Sequence, residues 1–538
     1  MLPAGASDLN ATGHDYIVVG AGSSGCVVAS RLAQKTAARV LLIEAGGGAG
    51  SPMIAMPMGF AAMIGAGAHN WSYRSDAEPA LDQRKVALPR GRVLGGCSSI
   101  NGMVYIRGQR QDFDGWAAQG NVGWDHASLL PLFKKSEDNW RGAGAFHGAG
   151  GELHIRPVGT RLAIADRFIE AAQQQGIPAN ADFNADVQDG VGYFDANIAH
   201  GVRQHTARAF LRPALHRPNL QVMKHAVVQR VLLRNGRAVG VQVLHDDQVI
   251  DIAASTEVIL CAGAYGSPQI LERSGVGDPA LLARLGIETV HALPAVGEHL
   301  QDHLNTMVSI ETRDCRTYYD YVRPRRIALT LADYALRRRG ICANPAAIVG
   351  AFVRIEEDAE RPDAEIHFAA GASVQHADGK LTPTPGICAT ICRLRPDSVG
   401  SVHITSADAN AAPAIRMNYL AHGRDASFQI LALRRLRRIF DAPALRPYIA
   451  GETRPGLQVA SDAELLDYIR ASSDTVHHPV GSCRMGTGVD AVVNPQLQVI
   501  GVENLRIADA SVFPSTISGN TNASCIMVGE KAAELMVG

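Results

Sequence analysis

The segment from Asp15 to Glu44 restricts the fold of this chain more sharply than any other. Asp15 to Gly20 reads DYIVVG, a short apolar run closed by glycine, which suits a buried parallel strand. AGSSG follows, then a helical stretch from Cys26 to Gln34, then RVLLIE from Arg39 to Glu44. Together they form a βαβ unit of about 30 residues. Gly20, Gly22 and Gly25 fall at the strand–helix junction as G-x-G-x-x-G. The first glycine permits the tight turn, the second lets backbone approach a pyrophosphate, and the third lets helix and strand pack closely. The free N–H groups at the helix start suit that anion. Glu44 closes the second strand, where a carboxylate accepts from a ribose hydroxyl. The expected ligand is an adenine dinucleotide. A glycine-rich turn that binds nothing would leave the position of Glu44 unexplained.

The βαβ unit does not decide between FAD and NAD. The chain has 538 residues, enough for several domain-sized units or two large ones. Lys and Arg number 51 against 52 Asp and Glu, so bulk charge argues for neither nucleic acid nor an anionic membrane. A 46% apolar, 19% charged composition is that of a globular core. The nine cysteines are scattered and odd in number, which fits a reduced compartment and buried small side chains. Cys388 and Cys392 lack the second pair or flanking His of a zinc site, so no metal is expected. MLPAGASDLNATGHD has neither the basic start nor the apolar run of a secretory signal. No apolar stretch approaches membrane-spanning length. The expectation is a cytoplasmic protein, with peripheral attachment to a membrane left open.

Further along, Ala45 to Gly67 reads as loops. Leu220 to Val231 and Ala238 to Leu244 read as strands about a turn at Asn235-Gly236. Glu257 to Cys261 is another short buried strand, and LRIADAS (505–511) a last strand and turn. Asp425 to Phe440 reads as an amphipathic helix carrying RRLRR, and Asn522 to Met536 as the final helix. Glu311 to Arg395 is the least patterned stretch. Its basic clusters RPRR (323–326) and RRR (337–339) read as solvated surface.

Five ordered motifs then resemble one family, the glucose–methanol–choline (GMC) flavoprotein oxidoreductases. They are DYIVVGAGSSGCVVASRL, PRGRVLGGCSSINGMVYIRG (89–108), GAYGSPQILERSGVGD (263–278), HHPVGSCRMG (477–486) and LRIADASVFPSTISGNTNASCIMVGEKAAELM (505–536). Within the family the chain most resembles bacterial choline dehydrogenase-like alcohol dehydrogenases. The resemblance implies an α/β fold: a Rossmann-like FAD-binding domain plus a substrate domain with an antiparallel sheet and helices. It divides the chain into an N-terminal region, 13–305, holding the FAD-binding domain with part of the substrate domain, and a substrate-domain segment, 306–394. The C-terminal region, 395–535, returns to the active site and FAD from about residue 470.

The resemblance implies FAD as cofactor. Gly20, Gly22, Ser24, Gly25, Glu44, Ala45, Trp71, Val227, Gly263, Asp509 and Ala510 would serve mainly its ADP and pyrophosphate side. Gly95, Ser98, Asn101, Gly102, Met103, Asn520 and Thr521 would lie toward the flavin. Some members bond FAD through a His in the GGCSS-x-N segment; Ile100 stands there, so the FAD is expected to be non-covalent.

Alcohol oxidation removes a proton from oxygen and a hydride from carbon, and imidazole suits the proton. The motif H-x-x-G-[ST]-x-R-[MI]-G selects His478, not His477, as the base. Asn520 matches the partner position, where its amide would orient the alcohol. His303 reads as structural, and His367 as a residue that could reach the substrate. The implied reaction is oxidation of a primary alcohol, aliphatic, aromatic or polyol, to the aldehyde. A lyase or photodecarboxylase of the same fold is the alternative. Choline is not favoured, since no aromatic or anionic cage is evident. A dehydrogenase is favoured over an oxidase. The acceptor (O₂, a quinone or a redox protein) and the oligomeric state stay open, and no nucleic-acid partner is expected.

Overall fold

The computed structural model describes residues 13–60, 63, 67, 69–375 and 381–538. The reading of the first twelve residues, and of part of the 45–67 loop, lies outside them. Short helical turns at Pro52–Ala55 and Pro57–Gly59 interrupt the described part of that loop.

His14–Val19 lies between Val40–Ile43 and the second half of Gln248–Leu260, all parallel. Leu220–Met223 extends this sheet beyond Val40–Ile43, and Leu505–Ile507 extends it on the other side. The strands are nearly continuous buried apolar runs, as a sheet covered on both faces requires. Helix Gly25–Lys35, buried from Gly25 to Ala33, packs against the C-terminal helix Asn522–Val537. The first half of Gln248–Leu260 leaves the parallel sheet and pairs antiparallel with Arg237–His245, which pairs with Ala226–Arg234.

One expected strand is divided. Leu220–Met223 belongs to the parallel sheet, and Ala226–Arg234 to the antiparallel meander. Between them His225 takes φ 56°. The chain bends round the end of Val40–Ile43, where the His225 N–H donates to Gly46 O and the Ala226 N–H to Glu44 O. The apolar pattern runs through this break and hides it.

A second seven-stranded sheet is antiparallel, in the order Ile449–Arg454, Leu304–Thr312, Gly386–Arg393, Ala364–Ala369, Val349–Val353, Gly190–Tyr193, with Asp474–Thr475 beside Leu304–Asn305. Helix Gly423–Phe440 covers it with Phe428, Leu433, Leu436 and Phe440. Arg434 and Arg438 face solvent, Arg437 binds Glu452 at 2.7 Å and Leu436 between them is buried, so RRLRR straddles the two faces of an amphipathic helix. A Rossmann-like sheet joined to an antiparallel sheet with helices is the architecture that the sequence resemblance implies. Among the described residues no helix is long and apolar enough to cross a membrane.

Candidate active site

A cavity of about 590 Å³ runs between the two sheets, from the glycine fingerprint to His478. At its fingerprint end Gly20 has φ +99°, and a Cβ there would lie 2.5 Å from Cys261 O. A Cβ on Gly25 would lie 1.9 Å from Gly20 O, so only glycine lets the helix start this close to the strand. Glu44 accepts from the backbone N–H groups of Ala21 (3.0 Å) and Gly46 (2.8 Å). Burial nevertheless pushes its pKa up to about 7. Each Glu44 oxygen keeps a lone pair for a ribose hydroxyl.

Asp509 accepts from Gly263 N–H at 2.8 Å and the Ser267 hydroxyl at 2.6 Å. It thereby pins the start of helix Gly263–Arg273 against the last parallel strand. Gly20, Gly22, Ser24, Glu44, Ala45, Trp71, Asn101, Gly102, Met103, Val227, Gly263, Asp509, Ala510, Asn520 and Thr521 all line the cavity. Three further expected cofactor residues, Gly25, Gly95 and Ser98, stand just behind the residues that line it. Gly25 packs helix against strand, and the Gly95 N–H donates to Ala21 O at 2.7 Å. The Ser98 hydroxyl lies 2.5 Å from Gly95 O and 3.0 Å from the Thr206 hydroxyl. Gly96, Cys97 and Ile100 present the loop to the cavity instead.

At the other end Asp302 organises the chain. Its Oδ1 accepts from the backbone N–H groups of His303 (2.9 Å) and His478 (2.7 Å). Its Oδ2 accepts from the Tyr419 hydroxyl at 2.6 Å and from the Thr475 hydroxyl. The 475–478 segment is thus tied to the start of strand Leu304–Thr312. His478 Nδ1 lies 3.0 Å from His303 Nδ1, and His303 Nε2 lies 2.9 Å from Leu394 O. A carbonyl only accepts, so His303 carries its proton on Nε2 and its Nδ1 accepts. His478 therefore carries its proton on Nδ1. Its Nε2 is left as a lone pair, which accepts from Asn520 Nδ2 at 3.1 Å. Burial, then the neighbouring His303 and His367, hold the His478 pKa well below 6.5. The imidazole is neutral, a base with its lone pair at the cavity.

His367 also lines the cavity, on strand Ala364–Ala369. Alternation puts Glu365, His367 and Ala369 on one face, opposite Cys392, Thr390 and Cys388. Glu365 is fully buried, and neither carboxylate oxygen receives a hydrogen bond. Its Oε1 lies 3.2 Å from His367 Nε2. Burial lowers the pKa of His367, but the Glu365 charge, with Asn520 adding to it, outweighs burial and raises it. One site therefore holds two unlike imidazoles. Sequence reasoning did not find Asp302 or Glu365, and gave His303 no part in the proton chemistry. QDH (301–303) next to the start of a strand was the available signal.

The residues fit FAD. The cavity carries a dinucleotide fingerprint, a helix N-terminus and unpartnered buried polar atoms of Asn520 and Asn522. Among the described residues no cluster of His, Cys, Asp and Glu could hold a metal.

Comparison with known proteins points to one family. Family models described as GMC oxidoreductase match residues 14–305 and 396–529. An alcohol dehydrogenase [acceptor] of Pseudomonas putida is 39% identical over 97% of this chain and 96% of its own. The mitochondrial choline dehydrogenase of Homo sapiens is 39% identical over 98% of this chain and 90% of its own. Among solved structures, pyridoxine 4-oxidase from Mesorbium loti superposes with a TM-score of 0.87 at 30% identity, covering 97% of this chain and 98% of that one. A formate oxidase superposes with a TM-score of 0.90 at 26% identity, with the same coverage.

Proposed function

The chain belongs to the GMC oxidoreductase family, and from that premise we propose that it oxidises a neutral primary alcohol to the aldehyde. It is a FAD-dependent enzyme acting on CH–OH donors. When bound, FAD supplies the acceptor for the carbinol hydride. The chain's own residues manage the proton and the oxygen. The alcohol oxygen enters between His478 Nε2 and Asn520 Nδ2, which are now 3.1 Å apart. Its O–H donates to the imidazole, and a lone pair accepts from the amide. His478 takes the hydroxyl proton as the hydride leaves carbon, and Asn520 holds the developing alkoxide. His367, whose pKa the Glu365 charge raises, adds a positive charge near that oxygen when protonated. His303 keeps His478 in the reactive tautomer. The bare Nε2 of His478 beside Asn520 in the cavity is the observation that carries this reading.

The wall beside His478 supports a neutral substrate. It includes Ala346, Ala347, Ala369, Cys388 and Thr390. The acidic side chains lining the cavity, Glu44 and Asp509, belong to its fingerprint end. A quaternary ammonium would find no carboxylate among those wall residues. We therefore read an aliphatic or aromatic alcohol, although the relatives include choline dehydrogenases. With Ile100 in place of a bonding His, the FAD is read as non-covalent.

The test is anaerobic mixing of the yellow holoenzyme with simple primary alcohols and choline. Bleaching by an alcohol and not by choline supports the reading. His478→Ala protein that keeps FAD should bleach about 10²- to 10⁴-fold more slowly. Bleaching at the original rate would remove His478 as base, and FAD that no alcohol bleaches would favour a lyase or photodecarboxylase.

A further inference from the structure

Helix Ile327–Arg337 is docked the wrong way round for a surface helix. Its sequence is IALTLADYALR. Successive residues of an α-helix are about 100° apart, so Leu331, Ala335, Ala328, Ala332, Leu336 and Leu329 form one arc about 160° wide. All six are exposed. Leu329 is 71% exposed and Leu336 83%. The inward edge is narrow and centred on Tyr334, which is buried and donates to Gly201 O at 3.0 Å. An amphipathic helix that turns its apolar stripe to water is a surface made to be covered.

The flanks indicate what covers it. Arg325 and Arg326 precede the helix, Arg337, Arg338 and Arg339 end it, and all five are exposed. Asp333 is the only carboxylate between residues 323 and 339, and it is shared by Arg337 (3.2 Å) and Arg339 (3.4 Å). A second copy packing here about a two-fold axis would set these arginines against their own images. An anionic lipid surface meets both features, with acyl chains for the leucines and headgroups for the guanidinium ions. Solvation accounts for the arginines but not for the leucines between them.

We propose that helix Ile327–Arg337 is an interfacial anchor that lays its leucine stripe into the surface of an anionic bilayer. The anchor lies beside the cavity. The turn after it, Ile341–Ala343, packs against Pro57–Gly59. Both segments run directly into cavity wall, at Ala346 and Ala347 and at Phe60. Docking would therefore hold that side of the cavity toward the lipid, where an apolar alcohol or a lipid-dissolved electron acceptor is concentrated.

The test is co-sedimentation of the holoenzyme with vesicles of phosphatidylcholine alone or mixed with phosphatidylglycerol. Binding should require phosphatidylglycerol and weaken with salt. The double variant Leu329→Gln, Leu336→Gln should bind about tenfold more weakly or worse. The double variant Arg325→Gln, Arg326→Gln should lose binding to a similar degree. Both variants should keep the FAD absorbance and the turnover of the unaltered enzyme with a water-soluble acceptor. Equal sedimentation with both vesicle types, or binding unaffected by the leucine change, would overturn the proposal. So would light scattering that finds a dimer which the leucine change makes monomeric, because the stripe would then belong to a second copy.

Discussion

His303 accepts from the Nδ1–H of His478 at 3.0 Å, and its own Nε2–H is spent on Leu394 O at 2.9 Å. The carbonyl fixes one tautomer, that tautomer fixes the next, and the chain ends at a lone pair in the cavity. A neutral imidazole thus does the orienting that a carboxylate does in many catalytic sites. The difference is electrostatic. A carboxylate would raise the basicity of His478, whereas His303 is itself held below 6.5 by burial.

His303→Phe should fill the space, keep FAD and leave the His478 Nδ1–H without an acceptor. The proton is then free to sit on Nε2, facing the substrate, where it blocks the base. Flavin reduction by the alcohol should slow about 10²-fold or more. Rapid-mixing absorbance under anaerobic conditions checks this, and an unchanged rate would mean that the His303 contact does not set the His478 tautomer.

Glu365→Gln should change the pH profile more than the fold. In the unaltered enzyme His478 is neutral at any pH above 6.5, because its pKa lies well below that value. His367 is raised above 6.5, so its charge is lost only as pH climbs through that higher value. The kcat/KM profile should have its ascending limb below 6.5 and its descending limb above it. Without the Glu365 charge, only the Asn520 contact opposes the burial of His367, and the descending limb should move to lower pH. Measuring kcat/KM across pH for both proteins tests this. A limb that stays in place would make the Glu365–His367 contact merely structural.

The parts of the molecule that were legible in the sequence are those whose partners are near in the chain. The strands flanking Gly20 and the hairpin about Asn235-Gly236 are set by local pattern and turn chemistry. Val349–Val353 was not legible because all five of its residues are buried, which removes the alternation that marks a strand. His303 and His478 are 175 residues apart, and no local pattern reveals a tautomer chain over that distance. The basic clusters beside helix Ile327–Arg337 were visible and were read as solvated surface, because the sequence does not show that the leucines between them face outward. His478 and Asn520 came from motif resemblance, and the structure brings both to the cavity.

Gly25→Ala should give a colourless protein. The added Cβ would lie 1.9 Å from Gly20 O, a backbone atom that cannot swing aside, so helix Gly25–Lys35 must shift away from the pyrophosphate end. Flavin content per chain, read from absorbance after purification, should fall severalfold. Normal flavin content would mean that the junction tolerates a larger separation than its packing suggests.

His403 should couple stability to pH. It sits between Glu272, at 2.6 Å, and Glu298, at 3.1 Å. Burial would lower its pKa, but the two carboxylates outweigh that and raise it to about 9. A raised value means that the folded state holds the proton more tightly than the unfolded chain does. The stabilisation is therefore complete below 6.5, the ordinary value, and is lost as pH rises from 6.5 through about 9. At most it amounts to about 3 kcal/mol. Glu272 is itself raised by burial, but its effect falls nearer the carboxylate range. Over the window above pH 6.5 the melting temperature should fall as pH rises. His403→Gln should melt lower than the unaltered protein at neutral pH and show a flatter dependence through the same window. Parallel curves for the two proteins would show that other groups set the alkaline slope.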